Sequence, residues 1–241
     1  MLDVIKRVAD ADSSDPGRIF GLGVNVQPRS NVTFQGWTVQ GPQRVDRPSD
    51  IWRHGDWIHK DDDRPAHIRS RFVIALDAKK LDLFDVFGRI RDIPALTDVS
   101  YVDISVKVDS SDTRPWGSVL KSYLGFVDKS LQTLVYAGIG LPDFLASTAN
   151  IPSFPSLERL YYSRRLCIVV HARSKRCKLS CKEPVDVLVN LQRNRAGLGV
   201  PLKWVAMVEN NLAPVEEAEL AKVIPEVVQL PRQSRDHRWR F

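Results

Sequence analysis

An α/β fold is what this sequence predicts, with strands running parallel and helices on their outer face. Three observations carry that expectation. From residue 67 onward, runs of period-two apolar alternation take turns with apolar residues at helical spacing. A short apolar motif returns at the start of several strands. Hydrophobic residues make up 43% of the 241, enough to bury a core instead of leaving a disordered chain.

The elements follow in order. Residues 1–17 read as a short helix or tail ending in a turn-rich break. Phe20, Leu22, Val24 and Val26 alternate as a strand, and Val32 and Phe34 begin a second run that ends near Trp37. Residues 40–66, broken by Pro42, Pro48 and Pro65, read as a long loop. Phe72, Ile74 and Leu76 alternate again, and Leu83, Val86, Phe87 and Ile90 lie on one helical face until Ile93-Pro94 stops it. Val102, Ile104, Val106 and Val108 form a β-branched strand. Trp116, Leu120, Tyr123 and Val127 form the next helical face, and Leu131 to Ile139 a strand. Leu141-Pro142 opens a short helix. Leu157 to Tyr162 and Leu166 to Val170 are apolar, and Pro184 opens a helix bearing Val185, Leu188 and Val189. Leu202 to Val208 is a strand. The last helix starts at Pro214, carries Glu216, Glu217 and Glu219 toward its positive N-terminal end, and stops at Pro225.

The recurring motif is apolar-x-x-apolar-x-apolar. Leu96, Val99 and Tyr101 fit it, as do Leu131, Leu134 and Tyr136, then Leu157, Leu160 and Tyr162, then Leu202, Val205 and Met207. Phe72 and Ile74 fill the last two positions of an earlier unit that starts at Arg69. The tyrosines are expected to point inward together. Some of the spacings lie in the 20–29 range of leucine-rich repeats and others are longer. Stacking such units would join strands into a parallel sheet and line helices along its outer side, giving an irregular leucine-rich-repeat-like solenoid. An ordinary α/β domain also alternates strand and helix. The expected organisation is an N-terminal segment, 1–66, a repeat domain, 67–230, and a basic C-terminal tail, 231–241.

The closing stretch carries a family resemblance. The basic, Gly-containing turn Arg193 to Gly199, Pro201-Leu202, Asn210-Asn211, Glu216-Glu217 and Ile224-Pro225 resemble the last units of fungal F-box/leucine-rich-repeat-like proteins. Ile93-Pro94-Ala95-Leu96 and Phe154-Pro155-Ser156-Leu157 are similar to that family's repeats. The resemblance spans residues 67–230 and implies a protein-protein interaction module that recognises substrates for a ubiquitin ligase. Residues 1–66 show no Leu-Pro-led helical module of the F-box kind, the part that would dock a Skp1-like adaptor.

Composition sets the compartment and excludes some classes. No stretch approaches the roughly 20 apolar residues of a membrane span, so no membrane partner is expected. Asp3, Lys6, Arg7 and Asp10 interrupt any apolar signal-peptide core. Three cysteines argue against a disulfide scaffold and for a reducing compartment, cytoplasmic or nuclear. A net charge of +6 permits an acidic partner without requiring one.

Three constellations carry candidate chemistry. Cys167, His171, Cys177 and Cys181 give C-x3-H-x5-C-x3-C, four zinc-type ligands that would make a closed structural site. The alternative is a buried Cys167 beside two loop thiols. His54, Asp56 and His59, followed by three aspartates, could serve a metal-dependent hydrolase; the alternative is a solvated loop anchored by Trp52 and Trp57. Arg164, Arg165, Arg173, Lys175 and Arg176, with the tail Arg232 to Arg240, could grip nucleic acid through phosphates, against a solvated loop and a frayed end. No P-loop, nucleophile elbow or HExxH occurs, and Gly21-Leu-Gly23 lacks the third glycine of a dinucleotide fingerprint. The expectation is therefore a non-enzymatic protein binder without a required cofactor. Arg164, Arg165, Arg173, Lys175, Arg176, Trp52 and Trp57 are its candidate contacts, because they depart from the repeat.

Overall fold

The strands anticipated on either side of residue 66 join one open sheet. The computed structural model describes residues 19–27, 31–39, 68–77, 96, 98–106, 115–138, 140–148, 150–163, 185–208 and 212–230. The expected 83–90 helix, 40–66 loop, 166–170 strand and 231–241 tail lie outside them. The strands are β1 (Ile19–Gln27), β2 (Asn31–Val39), β3 (Ile68–Asp77), β4 (Tyr101–Val106), β5 (Thr133–Ala137), β6 (Arg159–Ser163), β7 (Trp204–Val208) and β8 (Glu226–Leu230). Between them run α1 (Trp116–Leu124), α2 (Leu141–Leu145), α3 (Val185–Gly197) and α4 (Pro214–Ala221).

The sheet order is β3-β2-β1-β4-β5-β6-β7-β8. From β1 through β4 to β8 every pairing is parallel. β2 and β3 fold back beyond β1 by antiparallel pairing, so β2 alone runs against the rest. β3 and β8 are the two edges. The result is an α/β fold with a mostly parallel sheet.

The register explains the sequence motif and corrects its first unit. Leu22, Val102, Leu134, Leu160, Val205 and Val227 stand side by side across six strands. Val24, Ile104, Tyr136, Tyr162, Met207 and Gln229 form the next such row. Three positions before the first row lie Ile19, Val99, Leu131, Leu157, Leu202 and Ile224, all buried. The unit anticipated at Leu96, Val99 and Tyr101 is therefore Val99, Val102 and Ile104, three residues on. The pairing also places Tyr101 beside Thr133, on the opposite face from Tyr136 and Tyr162, because successive strand residues alternate faces. The unit expected at Phe72 and Ile74 lies on the antiparallel edge strand, with Phe72 opposite Gly36; the parallel neighbour of β4 is β1.

The helices cover one face. Leu120 and Leu124 of α1, Leu141 and Phe144 of α2, Leu188 and Val189 of α3 and Leu220 of α4 share one buried cluster with the Leu22 and Val24 rows from β1 to β7. Tyr136 meets Phe144 at 5.8 Å between ring centres, and Phe144 stacks on Phe154 at 4.9 Å. The close approach of α1 to α2 depends on glycine. A Cβ on Gly117 would lie 2.0 Å from the Gly140 carbonyl oxygen, and Gly140 starts α2 with φ of 88°, a conformation that disfavours other residues.

Polar groups tie each unit to the last. The Ser100 carbonyl accepts N–H groups from Gln132 and Thr133, the Gln132 carbonyl from Glu158 and Arg159, and the Glu158 carbonyl from Lys203 and Trp204. The Ser130 and Ser156 hydroxyls reach back to the Val99 and Lys129 carbonyls, each at 2.8 Å. From α3, Gln192 donates to the Leu202 carbonyl and accepts the Leu202 N–H, both at 2.9 Å. One turn on, Arg195 donates to the carbonyls of Ser153, Phe154 and Leu157. Asp128 accepts the Phe154 N–H at 2.6 Å, completing the hold on that loop. At α4, Glu216 accepts the Ala213 N–H at 2.9 Å. This is the carboxylate half of a capping box, since alanine has no acceptor of its own. No helix among the described residues is long and apolar enough to cross a membrane.

Candidate functional site

The face of the sheet opposite the described helices, helix-free among the described residues, holds the remaining strand side chains. In register across it stand Tyr101, Thr133, Arg159, Trp204 and Glu226, then Asp103, Val135, Tyr161, Ala206 and Val228. A third row places Asn25 beside Ser105 and Ala137 beside Ser163. Tyr101, Val135, Ala137, Tyr161 and Ala206 are buried, yet none belongs to the cluster the helices form. The face therefore has two characters.

Toward β1 and β4 it is closed and polar. Asn25 and Ser105 are buried, and the Asn25 Oδ1 has no hydrogen-bond partner among the described residues. Asp103 is half-buried, and desolvation holds its carboxyl well above the ordinary range. The Tyr101 hydroxyl is pushed well up by burial first, then by the neighbouring Asp103 and Tyr161. Burial also raises Tyr161, opposed in part by the positive Arg159. Each shift favours the uncharged form, because burial outweighs the charges nearby.

At the first residues of β6 and β7, and along β8, the face opens to solvent. Arg159 and Glu226 are exposed, and Trp204 and Val228 are half-buried. The Tyr161 and Trp204 rings meet at 4.5 Å between centres and 52° between planes. Trp204 Nε1 donates to Glu226 Oε1 at 3.0 Å, so the indole is held in place. The backbone of β6 positions Arg159 and Tyr161 two residues apart on this face, and β7 brings Trp204 alongside Arg159. A fixed aromatic pair flanked by one cation and one anion suits binding.

The residues anticipated from sequence are not among these. Trp52, His54, Asp56, Trp57, His59, Arg164, Arg165, Cys167, His171, Arg173, Lys175, Arg176, Cys177 and Cys181 all lie outside the described residues. Arg164 follows directly on the last residue of β6, Ser163, and Cys181 precedes the first residue of α3, Val185. Among the described residues, no three His, Cys, Asp or Glu side chains gather as a metal site. Sequence reasoning missed Asp103, Arg159, Tyr161, Trp204 and Glu226. The signal was present in the positions between the apolar ones: Tyr101-x-Asp103-x-Ser105 and Arg159-x-Tyr161-x-Ser163 put polar and aromatic groups where a plain two-sided core would be aliphatic. Comparison of the chain with family models, curated proteins and solved structures gives no match.

Proposed function

We propose that this chain is a protein-protein interaction module, a short, irregular leucine-rich-repeat-like arc that grips a protein partner on its helix-free face between β6 and β8. The observation that supports this most is the half-exposed Trp204, packed on Tyr161 and flanked by Arg159 and Glu226. Tryptophan, tyrosine and arginine dominate the residues that carry binding energy at protein interfaces. Repeat arrays of this kind present such side chains from an extended sheet. The aligned motif in six parallel strands supports the arc reading, although its spacings are uneven. The partner's matching surface would offer an apolar group to Trp204 and Val228. Substrate recognition for a ubiquitin ligase is the specific role that the family resemblance suggests for such a module.

The test is affinity purification of the tagged chain from its native cells, with Trp204→Ala and Arg159→Ala beside the parent. Truncating a central anchor costs about 2 kcal/mol or more, which is near thirtyfold in affinity. The expected result is one set of proteins that co-purifies with the parent and is lost from both variants. Recovery of a ligase adaptor within that set would support the ligase role. Identical sets from all three chains, with the variants folded, would overturn the reading.

A further inference from the structure

We infer that the outer edge of β8 takes up an extended, basic segment of the protein partner as a ninth strand, an inference that rests on the interaction reading above and names the partner's chemistry. β8 ends the sheet and pairs only with β7 among the described residues. Its side chains stay open where those of β7 are closed: Glu226 and Gln229 are exposed and Val227 and Val228 half-buried, whereas Val205, Ala206 and Met207 are buried. An edge of this kind presents unpaired N–H and C=O groups, the template for strand addition.

Charge selects the occupant. β8 is bordered by a carboxylate on each face. On the helix-free face, Glu226 accepts the Trp204 indole N–H. On the helix face, Glu217 of α4 accepts the Gln229 side-chain amide at 2.7 Å. Lys203 pairs with Glu158 and Lys222 with Glu219, while the hydrogen bonds of Glu226 and Glu217 go to the neutral Trp204 and Gln229. Two carboxylates, Glu226 and Glu217, thus flank the strand that an incoming segment would meet. Glu226 and Gln229 are three residues apart and on opposite faces. An incoming strand that matches both needs two basic residues three apart, with two apolar residues between them beside Val227 and Val228. The pattern Lys-Val-Ile-Lys meets this requirement in either strand direction.

The test uses the full chain and a fluorescent peptide, Thr-Lys-Val-Ile-Lys-Thr, blocked at both ends. Anisotropy is read at low and at physiological salt, beside a peptide with Glu in place of both Lys and one with methylated backbone nitrogens. The expected result is binding of the Lys peptide that weakens with salt, and at least tenfold weaker binding of both controls. The double variant Glu217→Gln, Glu226→Gln should weaken the Lys peptide by a similar factor while leaving the fold intact. No binding, or equal binding of the methylated peptide, overturns the inference. If no peptide binds while Trp204→Ala still releases a partner from the parent chain, the edge inference falls and the face reading stands.

Discussion

Asp103 stands in the middle of the parallel strands, two residues past Tyr101 and in line with Gly23 and Val135. Its carboxyl is raised by burial, so the folded chain keeps a proton that the unfolded chain releases near pH 4. The folded state then binds more protons than the unfolded one, and stability falls as pH rises from about 4 toward the raised value. Asp103→Asn cannot ionise and nearly keeps the shape. It should be more stable than the parent at pH 7 by at least about 1 kcal/mol, since each tenfold change in proton affinity corresponds to about 1.4 kcal/mol. The gap should close toward pH 4. Urea titrations at the two pH values measure this; an equal gap at both would show that the charge is not the cause. Arg195 is the second residue on which the fold depends. It is almost wholly buried, and burial lowers its pKa to about 10 against the opposing pull of Asp128. Its three carbonyl partners lose their donors together in Arg195→Ala. A hydrogen bond to a charged group contributes about 1.5–3 kcal/mol, so the variant should lose more than about 3 kcal/mol. Gln192→Ala breaks only neutral bonds and should lose less. The reverse order in urea midpoints would contradict the clamp. Neither residue was legible in sequence, because a Gln and an Arg in a helix otherwise read as its solvated side.

Elements were legible where their apolar period was strong and not where two registers fitted equally. Leu96, Val99 and Tyr101 satisfy the motif as well as Val99, Val102 and Ile104 do. Only the pairing of Val102 with Leu134 decides between them. β8 was missed because Glu226 to Leu230 lies between Pro225 and Pro231, and its unit ends in Gln229 instead of an apolar residue. Helix contact makes a prediction at this scale. Gly117→Ala places a methyl against the Gly140 carbonyl, and overpacking of this sort costs about 1–3 kcal/mol. Gly125 has open space around it and φ of −58°, so Gly125→Ala should be neutral or stabilising by up to about 1 kcal/mol. Thermal melts of the pair separate close helix packing from the general cost of replacing glycine; equal shifts would contradict it.

At the scale of the whole molecule, the alternation of strand and helix after residue 67 predicted the α/β class and the parallel direction. It did not reveal that β1, from the N-terminal segment, completes the stack beside β4, since β2 and β3 intervene in the chain between them. Nor did it point to the helix-free face, because the eye follows the apolar positions and the site lies in the positions between. Neighbouring motif starts are 32 residues apart from Val99 to Leu131 and 22 from Leu202 to Ile224, an irregularity absorbed in the connections while the strand register holds. The measurement that bears most directly on partner recognition is site-specific photo-crosslinking in native cells, with the reactive residue placed at 228 on the helix-free face or at 215 on α4. Val215 is 73% exposed, so it is the more accessible position. Recognition on the helix-free face predicts a discrete partner crosslinked from 228 and not from 215, lost when Trp204 is replaced by Ala. A partner crosslinked from 215 alone would contradict it, and would place recognition on the helices.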